Sequence, residues 1–514
     1  MSSNSVEDSS GTEKPRPAEI TETHTAVVMF VGDHAYKLKK PVDLGFLDFR
    51  TARARHAACE REVLLNRRFA PDVYEGVAEV GLPWGGPPEP VVVMRRMPAG
   101  RRLSHLVTAG APVDDALRRT ARLLAACHAG SPRTASISQE GTRDALLARW
   151  EDSFEQIHAL KARLPLPHIG ETAHLVRRYL AGRQDVFDTR IREGRVVDGH
   201  GDLLAEDIFC LDDGPRVLDC LEFDETLRHV DGLDDAAFLA MDLERLGAPE
   251  AAAYFLARYS EYSGDHAPAS LRHHYVAYRA FVRAKVSLFR EQQGVPAARS
   301  DAERFADITV RHLRASAVRL VLIGGPPAGG KSTLAGGLAD RLGLTLLNSD
   351  RVRKEVAGLP PERPAPAEYE RGIYTPAWTR RTYEELLGRA SALLAAGESV
   401  VVDASWNLDV WRRAATEAAR RHDADLVALR CEVPRDVAAM RLAARPPGPS
   451  DAGPVVGDAM AAAAEPWPEA VTVDTSGSPA AAVERAVAAV RPDGAGARGI
   501  SRRPFIGTGL RTED

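Results

Sequence analysis

A glycine-rich segment between an apolar stretch and a helical stretch constrains this chain most. It reads Gly325, Pro326, Pro327, Ala328, Gly329, Gly330, Lys331, Ser332 and Thr333. Its first eight residues satisfy the spacing G-x-x-x-x-G-K-[ST]; the apolar run 317–323 precedes them and a helical pattern over 333–342 follows. A strand that enters a helix through glycines presents free backbone N–H groups at the positive end of the helix dipole. The segment therefore predicts a binding site for nucleotide phosphates.

The side chains of this segment have separate expected roles. Glycine lets the backbone approach phosphate oxygens without a Cβ clash. The spacing predicts that Lys331 reaches the β- and γ-phosphates and that Ser332 binds Mg²⁺. ATP and Mg²⁺ are therefore the expected cofactors.

Composition limits the other classes of function. The chain has 514 residues, which is too long for one ordinary core, and 44% of them are hydrophobic and 27% charged. A net charge of −5 gives no overall attraction to nucleic acid or to anionic membranes. No apolar run is long enough to span a bilayer, and residues 1–20 lack the apolar region of a secretory signal. The five cysteines are scattered without C-x-x-C spacing, which favours reduced thiols and a cytoplasmic location.

The pattern of apolar residues changes along the chain. Before about residue 300, a predicted hairpin over 25–39 and a helix over 51–69 lead into a helix-rich region. After Arg319, candidate strands alternate with helices, which predicts a parallel sheet. These strands are Thr345–Asn348, Ser399–Asp403, Asp425–Val433 and Val471–Asp474. The expected fold class is therefore two-domain, mixed α+β followed by α/β.

The composition also predicts where the domains begin and end. The predicted divisions are a disordered N-terminus (1–18), a front domain (19–300), a connecting helix (301–316), a P-loop domain (317–491) and a disordered tail (492–514). In the P-loop domain we expect a parallel five-stranded sheet with helices on both faces.

A second cluster of acidic residues lies in the front domain. His200-Gly201-Asp202 is followed by Asp207, and then by a short predicted strand that leads to Asp219. Phosphoryl transfer needs one carboxylate at the attacking hydroxyl and further oxygen ligands that hold Mg²⁺ against the phosphates. The order resembles the H-G-D-L-x-x-x-N loop of the aminoglycoside phosphotransferase-like branch of the protein-kinase fold.

This resemblance assigns roles to the acidic cluster. Asp202 is implied as the catalytic base, Asp219 and Asp207 as metal ligands, and His200 as a brace for the loop. Asp207 stands where the family has Asn, so it adds a negative charge beside the phosphates. The number of bound metals, and whether this site is active, stay open at this point.

The residues upstream agree with the same resemblance. Lys37 and Lys39 lie on one face of the strand His34–Lys39 because side chains alternate along a strand. The resemblance implies that one of them binds the nucleotide, with Lys39 favoured over Lys37. Its partner on the following helix is implied to be Glu62, with Glu60 as the alternative. No G-x-G-x-x-G precedes this strand.

The P-loop domain contains a further motif after its second strand. Asp350 and Arg353 form a D-x-x-R that resembles small P-loop kinases of the gluconate-kinase, zeta-toxin and polynucleotide-5′-kinase type. Because they follow a strand of an open parallel sheet, they are expected in its ligand crevice. Asp350 is a candidate to take the proton of an attacking hydroxyl, and Arg353 to hold an anionic group. An alternative is that Ser349 or Asp350 only caps a helix.

Two other features of the P-loop domain predict site residues. Asp403 ends an apolar strand and is the candidate Walker-B-like ligand of Mg²⁺. Arg441 and Arg445 are spaced i, i+4 and share one helix face, which resembles a lid helix that closes on the transferred phosphate. The alternative is a solvated helix face, followed by a mobile segment over 446–452.

The whole chain resembles fused proteins with an aminoglycoside phosphotransferase-like domain and a C-terminal P-loop kinase domain. The first hypothesis is a bifunctional ATP-dependent phosphotransferase that acts on hydroxyl groups of small metabolites. The alternatives are a P-loop kinase with a regulatory pseudokinase in front, and a non-catalytic ATP-binding interaction module. A nucleic-acid 5′-kinase ranks last because the P-loop domain carries nearly equal numbers of acidic and basic residues. No membrane partner is expected.

Overall fold

The computed structural model describes most of the chain in several stretches. They are residues 19–22, 25–43, 48–81, 85, 88–160, 166–361, 370–444 and 454–491. The predicted disorder of 1–18 and 492–514, the assignment of Arg445 and the predicted mobile segment 446–452 all lie outside the described residues. The chain forms two compact units: the first holds most residues up to Ser316, and the second holds the residues from Ala317 together with segments 177–186 and 268–270.

The first nine strands all precede Ser316. They are β1 (Glu19–Glu22), β2 (Ala26–Val31), β3 (His34–Lys39), β4 (Tyr74–Val80), β5 (Glu89–Arg95), β6 (Val196–Asp198), β7 (Ile208–Leu211), β8 (Gly214–Val217) and β9 (His229–Asp231). The first five form an antiparallel sheet in the order β1-β2-β3-β5-β4, while β6 pairs with β9 and β7 with β8. The predicted hairpin is confirmed: β2 and β3 pair around a turn in which Gly32 has a φ of +58°.

Eleven helices are described before Ser316. They are α1 (Ala52–Asn66), α2 (Leu103–Thr108), α3 (Asp114–Gly130), α4 (Ala135–Glu140), α5 (Arg143–Leu160), α6 (Ile169–Ala181), α7 (Gln184–Arg192), α8 (Gly232–Arg245), α9 (Pro249–Ser263), α10 (Ala269–Gln292) and α11 (Ala298–Ser316). Thr51 caps α1 by accepting a hydrogen bond from the Ala54 N–H. Val63 and Cys59 of α1 pack on the five-stranded sheet, so the helix rests against the face that carries Lys37 and Lys39.

Buried ion pairs hold the helical part of the first unit. Helix α8 is buried along nearly its whole length, including Asp234 and Asp235. Asp234 receives two hydrogen bonds from the guanidinium of Arg279, which is also buried. Because isolated buried charges are costly, such pairing is what allows a helix this enclosed to carry carboxylates.

The second unit contains a parallel sheet and seven described helices. Its strands are β10 (Arg319–Gly324), β11 (Thr345–Asn348), β12 (Val400–Asp403), β13 (Asp425–Glu432) and β14 (Val471–Asp474). Its helices are α12 (Lys331–Leu342), α13 (Ser349–Val356), α14 (Pro376–Ala395), α15 (Asp409–Arg421), α16 (Arg435–Ala443), α17 (Pro454–Ala462) and α18 (Pro479–Val490).

The order of this sheet confirms the predicted fold class. All pairs in β11-β12-β10-β13-β14 are parallel, with β10 in the centre. Helices α12 and α18 pack on a core that includes Val321, Val401 and Leu429 of the sheet. The strand after the glycine segment and the last strand have the predicted bounds, whereas α12 begins two residues earlier than predicted, at Lys331. Among the described residues, none of the helices combines the length and the apolarity that a membrane crossing requires.

Candidate active sites

The glycine segment forms a tight loop between β10 and α12. Gly325 and Gly330 have φ values of +129° and +87°, which residues with a Cβ adopt only at a cost in free energy. A Cβ on Gly325 would lie 2.7 Å from the Cys431 carbonyl oxygen, and one on Gly329 would lie 2.9 Å from that of Pro326. The loop therefore needs glycine at these three positions, and its backbone has the close approach that a phosphate cradle requires.

Two side chains fix the loop from opposite sides. The Lys331 Nζ donates a hydrogen bond of 2.8 Å to the Pro326 carbonyl oxygen, so this side chain folds back across the loop. The Thr475 hydroxyl, just after β14, donates to the Gly329 carbonyl at 2.6 Å and lies 3.0 Å from that of Glu432. Thr475 belongs to no short motif, so its sequence context predicts no role; its position directly after a predicted strand is the signal that points to it.

An amide side chain and a carboxylate end the neighbouring strands β11 and β12. Asn348 and Asp403 are paired in register, and the Asn348 amide donates to the Asp403 carboxylate at 2.7 Å. The Asn348 side-chain oxygen also accepts from the N–H groups of Asp350 and Arg351. Asn348 is therefore the cap of α13, which corrects the expectation that Ser349 or Asp350 would be that cap. The Asp350 side chain lies beside the cavity described below.

Arg353 is engaged by the protein itself. Its Nη1 donates to the Ile373 carbonyl at 2.9 Å and to the Thr379 hydroxyl at 3.2 Å, and its guanidinium lies 5.0 Å from the centre of the Tyr374 ring. Burial lowers the pKa of Arg353. These contacts make Arg353 a wall residue of the site, so its predicted role in holding an anionic group stays a prediction.

Arg441 lies on α16 and reaches the other side of the loop. Its Nη2 donates a hydrogen bond of 2.8 Å to the carbonyl oxygen of Thr475, the residue that also fixes Gly329. In this arrangement Arg441 is tied to the strand end, next to the phosphate loop. Its predicted partner Arg445 falls outside the described residues.

A cavity of about 730 Å³ joins these groups. The phosphate loop, Asp350, Asp403 and Arg441 all line it. The sheet order divides the lining, because β11 and β12 lie on one side of β10, and β13 and β14 lie on the other. The two carboxylates are on the β11 and β12 side, whereas Thr475 and Arg441 follow β14 and β13 on the other.

In the first unit, both lysines of β3 contact one glutamate of α1. Lys37 Nζ lies 2.9 Å from one carboxylate oxygen of Glu62, and Lys39 Nζ lies 2.7 Å from the other. Glu60, the alternative partner, instead lies 3.5 Å from His56 on an exposed face of α1. The geometry therefore brings together Lys37, Lys39 and Glu62, and leaves Glu60 out.

The two lysines differ in what else they touch. Lys37 also lies 2.5 Å from Asp219, whereas Lys39 lies 2.6 Å from Glu222 and its side chain is only 1% exposed. Burial by itself lowers the pKa of Lys37, but Asp219 and Glu62 outweigh it and raise that pKa well above its usual value. Lys37 rather than the favoured Lys39 is thus the lysine beside the proposed metal ligand. Glu222 was missed because no motif of the sequence analysis included it.

The loop with Asp202 is held by a carboxylate that the sequence analysis also missed. Asp235 of α8 accepts hydrogen bonds from the N–H groups of His200 at 2.7 Å and Gly201 at 2.9 Å. A Cβ on Gly199 would lie 2.6 Å from this carboxylate, so glycine is required there. Burial alone raises the pKa of Asp235, but its hydrogen bonds from His128 and His200 hold it well below the usual range.

His200 braces the loop through its ring nitrogen. Its Nε2 donates to the Leu218 carbonyl at 3.0 Å, and burial lowers its pKa. The Leu218 N–H in turn donates to the Asp207 carbonyl at 2.9 Å. These contacts connect the His200–Asp202 turn to the strand end that carries Asp219.

Asp202, Asp207 and Asp219 lie close enough to influence one another. Burial, and then the charges of Asp219 and Asp202, raise the pKa of Asp207 well above its usual value. Burial also raises the pKa of Asp202, whose carboxylate lies 3.6 Å from Arg283. Asp219 has a φ of +64°, a conformation rare outside glycine, and its N–H donates to the Tyr74 hydroxyl. A cation bound beside these carboxylates would reduce their repulsion, but among the described residues no group of three or more His, Cys, Asp or Glu side chains is arranged to hold a metal ion.

Comparisons with known proteins identify a family model for part of the chain and relatives over most of its length. The family model described as AAA domain matches residues 320–467. The uncharacterized protein Rv2004c of Mycobacterium tuberculosis is 44% identical over 461 residues, which cover 89% of this chain and 92% of that protein. The chain belongs to the same family as this protein. The uncharacterized protein Mb2027c of Mycobacterium bovis matches with the same identity and coverage.

Several solved structures are similar to one part of the chain each. A choline/ethanolamine kinase family protein from Mesorhizobium loti is 19% identical, with a TM-score of 0.36, and covers 59% of this chain and 92% of its own. A sugar kinase from Janibacter is 20% identical, with a TM-score of 0.27, and covers 34% and 94%. The AAA domain match over residues 320–467 agrees with the P-loop domain predicted for this part of the chain.

Proposed function

We propose that this protein is an ATP-dependent phosphotransferase with two sites that act on hydroxyl groups of small metabolites. The observation that carries the proposal is the cavity in which the phosphate loop lies beside Asp350 and Asp403. A phosphate cradle and carboxylates around one cavity are the parts that phosphoryl transfer to a hydroxyl needs. The AAA domain match over 320–467 supports the nucleotide side of this site.

At the P-loop site each residue has a proposed role. The backbone N–H groups of 328–333, which follow the two prolines of the loop, and Lys331 hold the phosphates of ATP. Ser332 and Asp403 are the residues that would hold Mg²⁺, which supplies charge neutralisation at the phosphates when bound. Asp350 accepts the proton of the acceptor hydroxyl, and Arg441 steadies the loop through Thr475.

At the front site we propose parallel roles for a different set of residues. Lys37, which is paired with one carboxylate oxygen of Glu62, binds the phosphates of a second ATP. Lys39 pairs with the other carboxylate oxygen and holds Glu62 in position. Asp202 accepts the proton of a hydroxyl, and Asp207 and Asp219 would hold Mg²⁺.

We also propose the domain bounds 19–300 and 317–491, joined by residues 301–316. A cytoplasmic location is supported by the five cysteines, all of which are free thiols.

Three alternatives compete with this proposal, and the first has observations of its own. The contact of 2.5 Å between Lys37 and Asp219, and an Asp at position 207, suit a regulatory pseudokinase whose charges satisfy one another. A non-catalytic module that binds ATP and signals to a partner would use the same phosphate loop without Asp350. A nucleic-acid 5′-kinase would need a basic groove, which the composition of the P-loop domain disfavours.

Separate substitutions in the two sites test the proposal. Lys331→Ala and Asp202→Asn are assayed for formation of ADP and of phosphorylated product with a panel of hydroxylated metabolites. The proposal expects each variant to remove one part of the turnover. If Asp202→Asn changes nothing while Lys331→Ala removes all turnover, the pseudokinase alternative replaces it. If ATP binds but neither substitution alters turnover, the interaction module replaces it, and steeply salt-dependent oligonucleotide binding would favour the 5′-kinase.

A further inference from the structure

The acceptor side of the P-loop cavity differs from its phosphate side in chemistry. Asp350 and Asp403 mark the acceptor side because the hydroxyl has to meet the phosphate next to a carboxylate. On this side the cavity is lined by Tyr374 and Tyr383, and by residues at the start of α15. The planes of Tyr383 and Trp411 are 16° apart with ring centres 4.9 Å apart, so they form one stacked aromatic wall.

The polar end of Tyr383 is turned to the protein. Its hydroxyl lies 3.2 Å from the Ser405 hydroxyl and accepts a hydrogen bond of 3.2 Å from the Trp406 N–H. Trp406 itself is 1% exposed and packs edge-on against Tyr383, so it supports the wall from behind. Tyr383 itself is only 3% exposed, so it supports Trp411, the more exposed ring of the pair, at the cavity lining.

Two aliphatic side chains continue this wall with unusual exposure. Leu408 is 38% exposed and Val410 is 51% exposed, and both line the cavity. Exposed apolar side chains in a concave site become favourable when a ligand with an apolar body covers them. Met460 of α17 adds a further flexible apolar side chain to the lining.

The charges on this side disfavour an anionic acceptor. Among the lining residues that the structure describes, the cations are Lys331, Arg353 and Arg441. Lys331 and Arg441 donate to backbone carbonyls of the phosphate loop and of the β14 end, and Nη1 of Arg353 donates to Ile373 and Thr379. Asp350 and Glu370 are also in the lining, so an acceptor carboxylate or phosphate would meet negative charge.

We propose that the acceptor of the P-loop site is an uncharged alcohol with an aromatic or alicyclic body. The inference rests on the proposed kinase function and specifies its substrate class. In the reaction, the acceptor oxygen forms a bond to the γ-phosphorus while the bond to the β-phosphate oxygen breaks. The hydroxyl proton passes to the Asp350 carboxylate, and ADP leaves. The apolar body lies against Trp411, Leu408 and Val410.

A matched set of three small probes tests this class. 1-Phenyl-1,2-ethanediol has the ring and no charge, mandelate has the ring and a carboxylate, and glycerol has the hydroxyls without the ring. Binding to the full chain loaded with a non-hydrolysable ATP analogue is measured by calorimetry, and phosphorylation with ATP by mass spectrometry. We expect the phenyl diol to bind and react at least about tenfold better than the other two.

Substitutions in the wall provide a second measurement. Val410→Ser and Trp411→Ala should each weaken binding of the phenyl diol about tenfold. Neither should change the affinity for the ATP analogue. Leu426→Ser is the matched control, because Leu426 is 36% exposed and lies on β13 outside the cavity lining. Val410 is exposed enough that its replacement leaves the fold intact, so a loss reports on the ligand.

The outcomes separate this inference from the proposed function. Preference for mandelate or glycerol, or no binding of the phenyl diol at about 10 mM, overturns the substrate class. If ADP formation still depends on Lys331 in that case, the proposed kinase function is retained and only the substrate class is wrong. If ADP formation is also independent of Lys331, the proposed function itself fails.

Discussion

The two proposed phosphate sites are built in opposite ways. The P-loop site is made of local backbone: nine consecutive residues, three of which need glycine, form the cradle beside an open cavity. The front site is made of side-chain charges from distant parts of the chain, such as Lys37 and Asp219, which are 182 residues apart and 2.5 Å from each other. A backbone cradle keeps its shape without a ligand. The charged side chains of the front site must instead form ion pairs with one another when no ligand neutralises them.

The first prediction concerns the P-loop cradle, where the largest effect is expected. Lys331→Ala should reduce P-loop phosphotransfer by about a thousandfold, because charge stabilisation at the phosphates is the main contribution to this chemistry. ADP formation is measured in a background that carries Asp202→Asn, so that only the P-loop site contributes. Arg341→Ala is the control, since Arg341 lies on the same helix, is 64% exposed and pairs with Glu484. If Lys331→Ala keeps most of the turnover, the proposed role of Lys331 is wrong.

The second prediction tests whether the front site depends on its ion pairs for stability. Glu62→Gln should lower the free energy of unfolding of the first unit by about 3 kcal/mol, because it leaves the buried Lys39 and the half-buried Lys37 with less counter-charge. The measurement is a denaturant midpoint followed by far-UV circular dichroism. Glu60→Gln, two residues away and with a side chain 65% exposed, should change it by no more than about 0.5 kcal/mol. Equal effects of the two substitutions would contradict the comparison.

The third prediction addresses catalysis in the front site. Asp202→Asn should reduce its phosphotransfer about a hundredfold, since the amide cannot accept the hydroxyl proton. The assay uses Lys331→Ala as background, and Asp212→Asn as the control, because the Asp212 side chain is 97% exposed. Turnover that does not respond to Asp202→Asn, or no turnover in this background, would mean that the charge cluster is a regulatory element.

The fourth and smallest expected effect tests the backbone cradle directly. Gly330→Ala should weaken ATP binding about tenfold, because φ at this position is +87° and the new Cβ would lie 3.2 Å from Thr475. Gly336→Ala in α12 has open space around its Cβ and should leave ATP affinity unchanged. Calorimetry with an ATP analogue measures both variants. An unchanged affinity in Gly330→Ala would show that the loop tolerates strain at its last glycine.

Sequence and structure agree best where the chemistry is local. The hairpin, the parallel strands and the phosphate loop were predictable because hydrophobic periodicity and glycine spacing act over a few residues. The choice between Lys37 and Lys39 was not predictable, since both lie on the same face of β3 and only the packing of α1 and Glu222 distinguishes them. Asp235 and Thr475 were missed for the same reason, because their partners are remote in sequence.

The sequence by itself determined that this chain has a glycine loop between a strand and a helix, a parallel sheet in its second part and a differently patterned first part. These follow from steric limits on the backbone and from the periodicity of apolar residues, which every short segment carries. Only the tertiary structure decided that Lys37 faces Asp219, that Arg353 is engaged by its own unit and that an aromatic wall lines the acceptor side. Such contacts depend on how whole elements pack, and packing joins residues that no local pattern relates.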